Sequence, residues 1–239
     1  MANIIFHPAG SRGHADHGWL NAKHSFSFAG YHDPERIHFG ALRVLNDDIV
    51  APGMGFGKHP HDNMEIITIV LDGALEHKDS MGHTQAIHPG EVQVMSAGTG
   101  VFHSEYNHNK DKEVNLLQTW IFPNKKNVQP RYDQRLFPAE ERVNNWQPLV
   151  SPEGKEDGGI KIYQDAWIHR ATIETGKTLS YTTHAPENGL YVFMIDGNAN
   201  AQGQQLKKRD AMGITDVKSL DITATEQSDI LLFEVPMEW

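Results

Sequence analysis

The sequence predicts an all-β chain built from two related β-barrel units. Three observations lead there. Short runs rich in β-branched and aromatic residues recur along the chain and stop at Gly, Pro, Asn or Asp. Convincing helical periodicity is scarce. Two of the runs also close on the same kind of hairpin, Val70-Leu71-Asp72-Gly73 in the first half and Met194-Ile195-Asp196-Gly197 in the second.

Taken in order, His24, Phe26 and Phe28 alternate along an early strand, with the two rings expected in the core. Residues 65–71 (EIITIVL) form the first strong strand and stop at Asp72-Gly73. Residues 92–95 (VQVM) run from the Pro89-Gly90 turn to Ser96-Ala97-Gly98, and residues 114–122 (VNLLQTWIF) end at Pro123. In the second half, residues 190–195 (LYVFMI) stop at Asp196-Gly197 and residues 230–235 (ILLFEV) end at Pro236. Each half thus runs from an Asp-Gly turn to a hydrophobic strand closed by proline. Many short strands between turn signals are the pattern of a sandwich or jelly-roll barrel. Residues 123–159 carry Pro123, Pro130, Pro138, Pro148 and Pro152 and then a charged, Gly-rich stretch, which reads as an inter-domain linker. The expected division is 1–135 for the first unit and 136–239 for the second.

Composition narrows the function. A chain of 239 residues, 38% hydrophobic and 22% charged, can fold as two small soluble domains. No stretch approaches the ~18 apolar residues of a spanning helix. The first residues lack a secretory signal, so a cytoplasmic protein is expected. With no cysteine, disulfides, thiolate ligands and thiol catalysis are excluded. A net charge of −10 repels phosphate backbones, and the basic spots Lys125-Lys126 and Lys207-Lys208-Arg209 are short; no nucleic-acid partner is expected.

The 15 histidines are so frequent that one His-x-His pair means little without a frame around it. One frame exists. His59 and His61 alternate after Gly53, and His103, Glu105 and Asn107 alternate after the Ser96-Ala97-Gly98 turn. Residues i and i+2 of a strand share a face, about 6.5 Å apart. Two such pairs on neighbouring strands bring three imidazoles and a carboxylate to one barrel mouth. That set suits one divalent transition metal, iron first, with Mn, Co, Ni, Cu or Zn as alternatives.

Gly53-x5-His59-x-His61 with Gly73 resembles the first cupin motif. Gly90-x5-Ser96-Ala97-Gly98 with His103-x3-Asn107 resembles the second. Glu65 comes one residue early, Ser96 stands in place of proline, and the loop before His103 is two residues longer. These departures, with Gly18-Trp19-Leu20, His24-Ser25-Phe26-Ser27-Phe28, Phe56-Gly57-Lys58-His59-Pro60-His61 and the run Met95 to Glu105, look like the pirins. The match is densest with their bacterial quercetin 2,3-dioxygenase-like branch, and denser in the first half than in the second.

The resemblance implies a bicupin with the metal ligands His59, His61, His103 and Glu105. It also implies a second cupin without metal: Thr183 and Ala185 answer His59 and His61 there, and only His169 and His184 follow residue 108. The implied activity is metal-dependent cleavage of the central ring of a flavonol such as quercetin by O2, with loss of carbon monoxide and Glu105 as the base. The alternative is a metal- or redox-sensing protein that regulates a transcription or metabolic partner without catalysis. Glu65 reads as an ordinary strand-end carboxylate. His24 reads as structural, and His77 as either cavity-facing or simply hydrogen-bonded. Phe56, Met64, Met95 and Trp120 are candidates to line a pocket for a flat substrate.

Overall fold

The computed structural model describes residues 2–239. It contains two units, each a seven-stranded sheet facing a four-stranded one. In the first unit the large sheet runs Arg131–Leu136, Glu91–Ser96, Glu65–Asp72, Val114–Ile121, Leu42–Val50, Leu20–His24, Gly13–Asp16. Its small sheet runs Gly55–His61, Val101–Asn107, Leu75–Asp79, Thr84–Ile87. The second unit repeats the plan around Asn188–Asp196 and Ser228–Pro236. Among the described residues there is no α-helix, only two short 3-10 turns.

The apolar runs without alternation have a packing reason. Ile67 and Ile69 lie in a core shared with Tyr191, Phe193, Leu231 and Phe233 of the second unit. Their neighbours Ile66 and Val70 point the other way, into the interior of the first barrel. Both faces of each large sheet are therefore buried, one inside its barrel and one against the other sheet, so a strand there needs apolar residues at successive positions. The ring of Phe39 lies against Gly189 and Gly213 in this shared core. A Cβ at Gly213 would stand 2.6 Å from that ring, so the close approach requires glycine.

Two expectations are corrected. Residues 123–159 are not a bare linker: Arg131–Leu136 pairs with Glu91–Ser96, and Gln147–Pro152 pairs with Trp167–Ile173. The prolines sit where a ladder tolerates them. Pro148, for example, lies beyond the reach of the parallel partner Ile160–Ile162, which covers only Val150 to Pro152. Strand Asn3–His7 leaves the first unit and pairs with Ala211–Thr215 at the edge of the second unit's large sheet. His7 Nδ1 lies 2.9 Å from the Tyr191 hydroxyl, and Asp210 accepts the Ala9 N–H, which fastens this strand in place. An added strand covers the edge that Ala211–Thr215 would otherwise present. Both Phe26 and Phe28 lie beyond their strand, which ends at His24; Phe26 is core as expected, whereas Phe28 is only half-buried.

Candidate metal centre

The small sheet of the first barrel builds the site. Strand Val101–Asn107 lies between Gly55–His61 and Leu75–Asp79, with His103 directly opposite His59 on one side and Asp79 on the other. An irregularity in the ladder between His103 and Glu105 sets Glu105 opposite Phe56. His59, His61 and His103 come together, their rings 4.4–4.9 Å apart between centroids. One ligand-type atom from each lies within 4.8 Å of the others.

Glu105 is placed differently. It joins His103 and His77 in a second, overlapping cluster, and both its oxygens accept from Gln118 Nε2 at 3.1 and 2.9 Å. Among the described residues, both clusters able to hold a metal lie in this barrel. In the second barrel the buried carboxylate of Glu234 is taken up by Tyr181, His184 and Asn188.

The donors suit a metal ion. Burial, with His103 and His59 close by, lowers His61 to about 4. Burial, with His59 and His77 close by, lowers His103 to about 3. Both rings are therefore neutral at physiological pH, and a neutral ring has a lone pair to offer. His59 Nδ1 is 2.7 Å from the Gly57 carbonyl, so it donates there and leaves Nε2 as the free ligand atom. His103 Nε2 is buried and finds no hydrogen-bond partner among the described residues, an expensive state unless a ligand satisfies it.

A cavity opens beside this cluster, bordered by His59 and Glu105. Phe28, Phe56, Leu20 and Trp120 form its apolar wall, while His59, Glu105, Gln118, Asp48 and Asn46 supply polar atoms. An apolar wall with a few convergent polar groups is the lining of a small-molecule pocket. Past Phe28 and Phe56 the cavity widens into a groove lined by His14, His17, Trp19 and Tyr31. His24 lines both spaces, with its Nδ1 3.0 Å from Asn46 Oδ1. Of the four apolar residues singled out in the sequence, Phe56 and Trp120 line the cavity, whereas Met64 and Met95 pack beside Ile66 and Val101. Glu65 accepts from Ser96 Oγ at 2.7 Å and belongs to neither ligand cluster. His77 is fully buried inside the barrel. Phe28, Asp48 and Gln118 were not foreseen at the site; Phe28 lies past the end of strand Leu20–His24, Asp48 and Gln118 sit on strands without a motif, and only tertiary packing brings them there.

The buried ionisable groups give the metal-free protein a pH profile. His7, His61 and His169 fall to about 4 and His103 to about 3, from an ordinary 6.5, chiefly through burial. Between about pH 4 and 6.5 the unfolded chain binds more protons at these sites, so they add stability as pH rises. Asp48, raised to about 8, and Glu65, raised to about 7, both by burial, work in the opposite sense. The folded chain keeps protons that the unfolded chain loses near pH 4, so their contribution falls as pH rises toward 7 and 8. Four histidines outweigh two carboxyls below pH 6.5, and only the carboxyls remain above it. The melting temperature of metal-free protein should peak near pH 6.5 and fall by pH 8, and Asp48→Asn should flatten that fall. Thermal melts at pH 5, 6.5 and 8 check this; an unchanged slope in the variant refutes the assignment to Asp48.

Two jelly-roll barrels on one chain, with imidazoles gathered at the mouth of the first, define a bicupin. Comparison with known proteins narrows the class. The family model Pirin matches residues 6–121, and that of the quercetinase C-terminal cupin domain matches residues 148–235. Quercetin 2,3-dioxygenase of Escherichia coli (strain K12) is 42% identical over 233 residues, covering 98% of this chain and 99% of the relative. A pirin-like protein of Caulobacter vibrioides is 40% identical over 227 residues, covering 95% and 97%. The crystal structure of the bacterial pirin YhhW from Escherichia coli in complex with nickel(II) superposes with a TM-score of 0.92 at 40% identity, covering 98% and 99%. The chain belongs to the pirin family.

Proposed function

We propose that this protein is a metal-dependent flavonol 2,3-dioxygenase that holds one divalent transition metal, iron in our assignment, through His59, His61, His103 and Glu105. The observation that carries the reading is the apolar-walled cavity bordered by His59 and Glu105, beside the gathered imidazoles of His59, His61 and His103. Relatives named quercetin 2,3-dioxygenase over nearly the full length support it, and the nickel-bound relative supports a first-row ion. A bound metal would supply Lewis acidity to the substrate hydroxyl and a meeting point for O2.

The chain's own groups do the rest. Phe28, Phe56 and Trp120 hold the flat ring system and exclude water. Glu105 takes the proton of the 3-hydroxyl, which leaves the central ring electron-rich enough for O2. Two carbon–carbon bonds of that ring then break; both oxygen atoms enter the depside product and one ring carbon leaves as carbon monoxide. Gln118 holds Glu105 by both oxygens and so fixes where the proton is received. We place the reaction in the cytoplasm.

The test is metal analysis of protein purified without chelator, coupled to loss of flavonol absorbance with and without O2. Close to one ion per chain, O2-dependent loss and carbon monoxide release are expected. A metal-bearing protein with no turnover in air would instead favour the regulatory reading.

A further inference from the structure

Beside the histidine triad lie two buried side chains that the proposed reaction does not use. On strand Leu75–Asp79, His77 stands opposite Glu105 and Asp79 opposite His103. His77 Nε2 is 3.0 Å from Asp79 Oδ2, and His77 Nδ1 is 3.5 Å from His103 Nδ1. Asp79 also receives the backbone N–H groups of Met81 and His83 and lies 2.9 Å from His83 Nδ1. An acceptor surrounded by N–H groups is a carboxylate anion, which accepts and does not donate. His77 therefore carries its proton on Nε2 and presents the lone pair of Nδ1. That lone pair faces His103 Nδ1, so the proton of His103 belongs on Nδ1 and its lone pair on Nε2. Nε2 is the buried atom without a partner. The chain of contacts thus determines which nitrogen of His103 is free, as the Gly57 carbonyl does for His59.

We propose that His77 and Asp79 are positioning residues: through the contacts Asp79–His77–His103 they fix the tautomer and ring orientation of His103 for metal binding. The inference rests on the reading of His103 as a ligand. A carboxylate acting through an imidazole also makes the far ring a better donor, and removing such a partner costs roughly 10–100-fold in metal affinity. The contrasting role is that of a ligand, since His77, His103 and Glu105 also lie within 4.8 Å of one another.

Two measurements on metal-free protein decide. The first is the ring-nitrogen correlation NMR spectrum. His103 should show the Nδ1–H tautomer, and the form with the proton on Nε2 would overturn the proposal. The second is titration with Ni2+ alone. His77→Phe keeps a ring but loses both nitrogens, and should weaken binding roughly 10–100-fold. His77→Gln can still donate to Asp79 and accept from His103, and should recover most of that loss. Asp79→Asn keeps the shape without the charge, and should weaken binding in a protein that still folds. Wild-type affinity in Asp79→Asn overturns the proposal, even if His77→Phe fails to fold. Equal weakening in His77→Gln and His77→Phe also overturns it, because a ligand or a mere space-filler would show no rescue. His103→Ala separates the two levels. If it loses metal while the His77 and Asp79 variants bind normally, only the positioning role fails. If it binds as wild type does, the ligand reading fails as well.

Discussion

His103→Ala should weaken metal binding by roughly 10²-fold, and metal-dependent turnover with it, while the metal-free protein keeps its fold. The size of the loss follows from the number of ligands. A four-ligand structural site binds a divalent ion with about 10–16 kcal/mol, so each ligand accounts for about 3 kcal/mol, or ~10²-fold in affinity. His103 is the ligand shared by both clusters and is 2% exposed, so no neighbour can replace it without moving a strand. The effect on folding should be small because two contributions oppose each other. Truncating the ring opens a small void, but it also removes a buried nitrogen that has no partner, a penalty of about 1–3 kcal/mol in its own right. Elemental analysis and thermal melts of the chelated protein check both halves. Wild-type metal affinity in the variant would refute the ligand assignment.

Glu105→Gln should leave a substantial part of the metal in place but lower turnover per bound metal by roughly 10²-fold, the scale of general-base catalysis. The structure explains why this nearly isosteric change is not silent. Gln118 donates to both oxygens of Glu105, and its own oxygen is engaged by Thr68 Oγ1 at 3.0 Å. A glutamine at 105 has one oxygen, which must turn toward Gln118 to avoid setting two amide nitrogens against each other. Its –NH2 then faces the place where a proton should be received. The defect should shrink as pH rises, because the flavonol hydroxyl then ionises unaided. Wild-type turnover per metal across the pH range would remove Glu105 from the role of base.

The residues gathered at the centre were legible where the chemistry repeats with the period of a strand. His59-x-His61 and His103-x-Glu105 each put two donors on one face, and the structure brings the three imidazoles together. What it adds is the distinct hold on Glu105, since the partner Gln118 sits in a strand with no motif. His77 could not be resolved because a lone histidine in a five-residue strand looks the same whether it faces solvent or a ligand. The pocket wall was half legible. Trp120 and Met95 stand opposite Ile66 on its two neighbouring strands, and only their place across the sheet separates cavity from core. The strands Arg131–Leu136 and Gln147–Pro152 were hidden because proline at a strand border reads as punctuation of a loop.

The strand Asn3–His7 bears on how the chain is made. Ile4 pairs with Ile214, a contact that spans nearly the whole sequence. Contacts of such separation slow folding, because a large loop must close before they form. On the ribosome, at roughly 5–20 residues per second, this strand waits tens of seconds for its partner to emerge. The first barrel can assemble meanwhile, but the exposed Ile4 and Ile5 remain on an unpaired strand, an invitation to pair with another chain. Completion of the second barrel then depends on a segment made before either barrel, which makes that sheet a checkpoint for the integrity of strand Asn3–His7.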